Sequence, residues 1–260
     1  MIESRQNPLI KRLKELREAK PRREQGRFLI DGPRDMERAL ERGVEIAAAY
    51  LCRGFPVEPK LLKTLEAKKI EIIEVGKNAF EAICYRENPN GLLVEAKTWS
   101  TELKNLKLEK PTLVVVAEDI EKPGNLGTLL RTCDATGVDA VIGCDATVDL
   151  FNPNTLRASA GAAFSVPYAT VGRDDVISWL EKRGLRLVAA TPSAGKTAWQ
   201  ADFKKPFALA IGSESLGLTK EMLRVADEKI SLPMRGTGDS LNVSVATGAI
   251  LYEALRQREG

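Results

Sequence analysis

Apolar residues recur at helical spacing over residues 5–20, where Leu9, Leu13 and Leu16 stand among Lys11, Arg12, Lys14 and Arg17. Pro21 is expected to stop that helix. Short elements then alternate. Residues 28–30, 46–51, 70–75 and 92–96 read as strands, and 33–41, 59–67 and 77–83 as helices. The segment 97–111 is polar and rich in lysine, and loses the apolar pattern. The pattern restarts at Leu113-Val114-Val115-Val116-Ala117, which reads as a strand buried on both faces. A turn and a helix over 126–136 follow, then strands at 140–142, 185–190, 207–211 and 229–232, and a long final helix over 243–256. Strands alternating with helices predict an α/β chain with a mostly parallel sheet. The division is a smaller α/β domain over residues 1–98, a linker over 99–111 and a second domain over 112–260.

Length and composition fit one large or two modest domains. The aromatic share is 5%, so aliphatic side chains fill the cores. The net charge is only +3, yet residues 1–30 hold nine Lys or Arg against four acids. The remainder is therefore slightly acidic, and the basic character sits at one end. Arg5, Lys11, Arg12, Arg22 and Arg23 are the candidates for contact with an anionic polymer. There is no histidine, which excludes imidazole bases, Ser-His-Asp and Cys-His nucleophiles and histidine metal sites. Cys52, Cys84, Cys133 and Cys144 form no C-x-x-C pair and read as free thiols in a reducing cytoplasm. No metal cluster is apparent. No apolar run approaches a membrane span, and the first residues lack the apolar stretch of a signal peptide.

Candidate chemistry lies in loops that follow strands. Residues 190–197 resemble a phosphate-binding loop, but Ala190 replaces its first glycine and Pro192 has no N–H to turn toward a phosphate. Pro123-Gly124-Asn125 opens a helix that carries Arg131. Asn125 reads either as a helix cap or as a ligand contact, and Arg131 as a solvated residue or an anion contact. Gly212-Ser213-Glu214 ends one strand, and reads either as a glycine turn before a helix capped by Thr219 or as a close backbone approach to a ligand at Gly212, with Glu214 near a cation or a sugar hydroxyl. Leu232-Pro233-Met234 and a glycine loop to Ser240 end the next. Asn242 and Ser244 follow, and serve either helix capping and packing or a substrate.

Taken together, three segments resemble the TrmH-type RNA ribose 2′-O-methyltransferases of the SPOUT superfamily. They are Asn125-Leu-Gly-Thr-Leu-Leu-Arg131-Thr, Ile211-Gly-Ser-Glu-Ser-Leu-Gly217-Leu, and Leu232-Pro-Met with Ser240-Leu-Asn-Val-Ser-Val-Ala246. The opening Ile2-Glu-Ser-Arg-Gln-Asn-Pro-Leu-Ile-Lys-Arg12 is similar to that of longer members with a ribosomal-protein-like substrate domain. The resemblance implies a deep trefoil knot in the second domain, an exception to the rule that chains do not thread loops. It implies S-adenosylmethionine bound near Thr191, Gly212, Leu232, Met234 and Leu241. It places Asn125, Arg131, Glu214, Ser240 and Asn242 at the active site. It also implies a homodimer, in which Arg131 serves its own site or its partner's, and an RNA substrate, with ribosomal RNA favoured over transfer RNA.

Such a reaction needs in-line positioning and removal of one proton, and no metal. A guanidinium keeps its proton, so Arg131 suits phosphate binding and alkoxide stabilisation better than base catalysis. Two other classes compete. One is a non-catalytic RNA-binding or ribosome-assembly protein, against which the intact polar set argues. The other is a nucleotide-dependent enzyme, which rests on the flawed phosphate loop.

Overall fold

The computed structural model describes residues 1–86 and 88–260. The chain divides into two compact units. The first is Met1–Trp99 with Asp149–Ser165, and the second is Ser100–Val148 with Val166–Gly260.

The first unit is built on a four-stranded sheet of β1 (Arg27–Ile30), β2 (Ile46–Leu51), β3 (Ile72–Glu74) and β4 (Leu92–Lys97). Its order is β1-β4-β2-β3; β4 runs antiparallel to both neighbours and β2 parallel to β3. Helices α1 (Pro8–Glu15), α2 (Ala19–Gln25), α3 (Pro33–Glu41), α4 (Pro59–Ala67) and α5 (Lys77–Ile83) surround it. Proline opens α1, α3 and α4, where its missing N–H costs nothing. Pro21 likewise lies in the first turn of α2 and does not stop the chain's helical course. The first helix ends earlier, before Leu16, and α2 ends at Gly26, whose φ of 60° suits glycine. Ile10, Leu13 and Leu16 pack into one core with Phe80 and Ile83 of α5 and Leu93 of β4.

Residues 149–165 belong to this unit, although the sequence pattern assigned them to the second domain. They carry α7 (Pro153–Ser159) and a 3₁₀ turn at Ala162–Phe164. Phe151 packs on Phe28 and Trp99 at ring separations of 4.9 and 4.7 Å, and Phe164 joins the same cluster.

The second unit is a six-stranded, wholly parallel sheet in the order β10-β8-β9-β5-β6-β7. Its strands are β5 (Leu113–Glu118), β6 (Ala140–Cys144), β7 (Tyr168–Val171), β8 (Arg186–Ala190), β9 (Phe207–Ile211) and β10 (Glu228–Ile230). Its helices are α6 (Pro123–Ala135), α8 (Arg173–Arg183), α9 (Lys220–Val225) and α10 (Val243–Glu259). The segment expected to be a free linker is partly stitched into this unit. Thr170 N donates to Thr101 O at 2.7 Å, and Leu103 and Leu106 pack on the core. The chain order reverses between β5 and β9, and in open α/β sheets ligands bind beyond the strand ends at such a point. All four cysteines are buried and free. Among the described residues no helix is long and apolar enough to cross a membrane.

Candidate active site

The loop after β9 is closed on itself. A Cβ at Gly212 would stand 2.1 Å from the carbonyl carbon of Gly217 and 2.2 Å from the nitrogen of Leu218. The chain's own loop therefore demands glycine at 212, as the turn reading has it, and Gly212 also lines the cleft described next. Gly217 N donates to Ser213 O at 3.0 Å, and Leu216 N to Ser213 Oγ at 3.2 Å. The far end of the loop is held by Glu118, which is fully buried at the end of β5. Its carboxylate accepts from Thr219 N at 2.8 Å, Thr219 Oγ1 at 2.9 Å and Arg173 Nε at 2.7 Å. Thr219 in turn caps α9 by accepting from Met222 N. Cys144 and Asp145 lie close to Glu118, but Arg173 already bridges the two acids.

This loop is one wall of a cleft of about 450 Å³. Thr191 and Pro192 after β8 line it, as do Leu232 and Met234 after β10 and Ser240 and Leu241 before α10. The five residues singled out for a cofactor, Thr191, Gly212, Leu232, Met234 and Leu241, thus share one cleft, together with Glu214 and Ser240. The volume lies in the range of roughly 300–1,000 Å³ found for small-molecule sites. Ile230, Leu218 and Ile250 give it apolar walls, while Thr191, Ser231 and Asp239 add polar groups. That mixture suits a ligand with an apolar body and a polar end. The stretch that resembled a phosphate loop contributes only Ala190, Thr191 and Pro192 here. It is followed by a 3₁₀ turn, Ala198–Gln200, capped by Thr197 and Gln200, and not by the helix that a phosphate loop needs.

At one end of the cleft Glu214 joins a polar corner. Asn242 Nδ2 donates to Glu214 Oε1 at 2.5 Å and to Asn125 Oδ1 at 3.2 Å. Asn242 Oδ1 accepts from Ser244 N at 3.0 Å, capping α10. Of the two readings that the sequence left open for Asn242, the helix cap is made by its oxygen, while its nitrogen is spent on Glu214 and Asn125. Buried Ser244 donates to Asn125 O at 3.0 Å, tying the first turn of α10 to that of α6. Lys122 Nζ lies 2.5 Å from Glu214 Oε2. This lysine, with hydrogen bonds from Asn125 and Asn242, holds the Glu214 carboxyl below the usual carboxylate range.

Arg131 stands apart from this corner. It lies six residues beyond Asn125 on α6, about 9 Å along the axis and roughly 120° around it. It is exposed and has no hydrogen bond or ion pair among the described residues. Ser240 is exposed in the cleft wall. Lys122, Glu118 and Arg173 escaped the sequence reading, because their partners are distant in the chain and no local motif marks them.

The basic N-terminal set separates into two kinds. Lys11 and Arg23 are exposed, and Arg5 is half exposed while bonding Asn78 O at 2.8 Å. Arg12 makes a two-pronged bond to Glu95 at 2.7 and 2.8 Å. Arg22 is 2% exposed, pairs with Asp149 at 2.6 Å and donates to the carbonyls of Leu16 and Arg17. Its assignment to an RNA surface is withdrawn, because a guanidinium committed on these sides has no face left for a phosphate.

Comparison with known proteins agrees with this architecture. Residues 112–252 match the SpoU rRNA Methylase family, and residues 7–94 match an MRM3-like substrate binding domain. The chain is 30% identical to the 23S rRNA (guanosine(2553)-2′-O)-methyltransferase RlmP of Bacillus subtilis, over 96% of this chain and 97% of the relative. A crystal structure described as an RNA 2′-O ribose methyltransferase superposes with a TM-score of 0.87 at 39% identity, covering 100% of this chain and 99% of that one. An AdoMet-bound rRNA methyltransferase from Sinorhizobium meliloti superposes with a TM-score of 0.88 at 30% identity, covering 98% and 97%. With the family matched over more than half its length and relatives aligned along nearly all of it, the chain belongs to the SpoU rRNA methylase family.

Proposed function

We infer that this protein transfers a methyl group from S-adenosylmethionine to a ribose 2′-hydroxyl of RNA, with ribosomal RNA as the substrate. The observation that carries this reading is the junction of an apolar, nucleoside-sized cleft with the Asn125–Glu214–Asn242 corner. Together with the relatives' names, it calls for a bound cofactor on one side and a polar acceptor on the other.

Thr191, Leu232, Met234 and Leu241 would hold the cofactor, with Gly212 shaping the loop against it. When bound, S-adenosylmethionine supplies an electrophilic methyl on a sulfonium. The residues of the corner orient the acceptor hydroxyl for in-line attack and exclude water. Glu214 accepts a hydrogen bond from that hydroxyl and is a poor proton acceptor, because its neighbours favour the ionised form. The proton then leaves to water or to a phosphate oxygen. Ser240 borders the reacting groups from the cleft wall.

A homodimer with a knotted catalytic domain belongs to the same reading. Val245 and Tyr252, 57% and 55% exposed, stand two turns apart on α10 and offer an apolar stripe to a second copy. Arg131 serves the site of that second copy, where it binds the phosphate next to the target ribose. Its exposure and its separation from Asn125 support this role. Arg5, Lys11 and Arg23 contact RNA from the first unit. The four buried free thiols support a reducing compartment, the cytoplasm.

The test is calorimetry with S-adenosylmethionine and ATP, followed by transfer of labelled methyl to ribosomal and transfer RNA from cells lacking the gene. Binding of S-adenosylmethionine alone, and label on a ribose 2′-oxygen of ribosomal RNA, is the expected result. Absence of either overturns the reading, and label confined to transfer RNA overturns the substrate.

A further inference from the structure

A second pocket, of about 280 Å³, opens beside the cofactor cleft. Ile120, Glu121, Lys122, Asn125 and Ser215 line it, and it shares only Glu214 and Val243 with the cleft. Groups held in the two pockets would therefore meet across Glu214. The pocket is wide enough for a sugar and one phosphate, and five of its seven lining residues carry polar or charged side chains.

Two carboxylates, Glu121 and Glu214, face this pocket, and Lys122 is the one cation in its lining among the described residues. An RNA ribose arrives with a phosphate on each side. Two carboxylates alone would repel it, and Lys122 offsets that repulsion. The lysine is also fixed at its root. Its carbonyl accepts from Asn125 N at 3.0 Å and Leu126 N at 3.2 Å, and the following Pro123 holds it extended at φ −99° and ψ 121°. Its side chain is 68% exposed and ends 2.5 Å from Glu214 Oε2. An ammonium has three donors, so Lys122 can keep Glu214 and still bind a phosphate oxygen.

We propose that this smaller pocket seats the acceptor ribose, and that Lys122 is a positioning residue that aims Glu214 at the sugar and takes one of the two phosphates flanking it, the other being left to Arg131 of the second copy. The proposal rests on the methyl-transfer reading above.

The experiment compares wild type, Lys122→Ala and Lys122→Arg in methyl transfer to ribosomal RNA from cells lacking the gene, with S-adenosylmethionine affinity measured separately by calorimetry. Lys122→Ala is expected to raise the KM for RNA at least about tenfold, the scale of one charge-assisted contact. Its KM should also depend less steeply on salt, by about one phosphate contact. S-adenosylmethionine affinity stays within about twofold, and Lys122→Arg recovers most of the RNA KM. An unchanged RNA KM in Lys122→Ala, or a parallel loss of cofactor affinity, overturns the role of Lys122 while leaving methyl transfer intact. Failure of the wild type to label RNA overturns the underlying reading and this proposal with it.

Discussion

Glu118 and Glu214 begin from neighbouring places and end in opposite states. β5 and β9 pair in parallel with Ala117 beside Ile211, so Glu118 ends one strand where Gly212 ends the other. Glu118 is fully buried and has Arg173 and Thr219 around its carboxylate. Glu214, two residues past Gly212, is exposed and held at its edges by Lys122 and Asn242. A carboxylate sealed on every side fixes the loop and can do nothing else. One held by two partners and open on the remaining side keeps lone pairs for a ligand. At this end of the sheet's two central strands, the buried acid builds the wall and the open acid is left available to a ligand.

The largest expected effect separates these roles directly. Glu118→Ala leaves Arg173 without its buried partner and Thr219 N without an acceptor. Loss of one partner of a buried pair costs about 3–5 kcal/mol, so the midpoint of urea unfolding should fall clearly. Glu214→Gln, at an exposed position, should change stability by less than about 0.5 kcal/mol while lowering methyl transfer. Equal losses of stability in the two variants would erase the distinction, and Glu214 would then be a structural residue.

A third carboxylate, Asp35 in the first unit, sharpens the comparison because it is buried with one oxygen lacking a hydrogen bond among the described residues. It is 3% exposed, its Oδ1 has no hydrogen-bond partner among the described residues, and the cation paired with it, Arg86, is 3.6 Å away. Arg86 itself lies over Gly32, where a Cβ would come within 2.4 Å of its Nη2. Burial raises the Asp35 carboxyl from 3.8 to about 6, against the pull of Arg86 and Arg34. A folded-state value above the unfolded one means that the folded protein holds this proton more tightly. The stability contributed by Asp35 is therefore full below about pH 4 and is lost as the pH rises through about 6. Asp35→Asn removes that dependence. Its Tm relative to wild type should rise by a few degrees (roughly 2–8 °C) between about pH 4 and about pH 7.5. A constant difference across that interval would mean that Asp35 is ionised in the folded protein throughout.

These three acids also mark how far the sequence could be read. The strands of the second unit's centre and helices α3, α4 and α5 were legible, because each carries an apolar run or period bounded by proline or glycine. Residues 149–183 were not. α7 and β7 are too short to show a period, and α8 buries Val176 and Leu180 behind an otherwise charged surface. The cleft was visible as small-residue loops after strands, and Asn125, Glu214 and Asn242 as polar residues within them. Lys122 was not visible, since its partner lies 92 positions away. Nor was the burial of Arg22, since its partner Asp149 lies 127 positions away and on the far side of the expected domain boundary. Charge counts located a basic segment but could not separate cations that face water from cations that build a core.

That separation gives the smallest and most diagnostic effect. Arg22 and Arg23 are adjacent in sequence and belong to different classes, one 2% exposed and ion-paired, the other exposed. Arg23→Ala should leave the Tm unchanged and weaken RNA binding only modestly, by about twofold to fivefold at moderate salt. It should reduce the slope of log affinity against log salt by about one. Arg22→Ala should do the reverse, lowering the Tm through the unpaired Asp149 while the protein that remains folded keeps the wild-type salt slope. Filter binding across a salt series, with thermal unfolding of the same samples, measures both. A reduced slope in Arg22→Ala at a temperature where it is fully folded would place Arg22 on the RNA surface after all, and would mean that the Arg22–Asp149 pair opens when RNA binds.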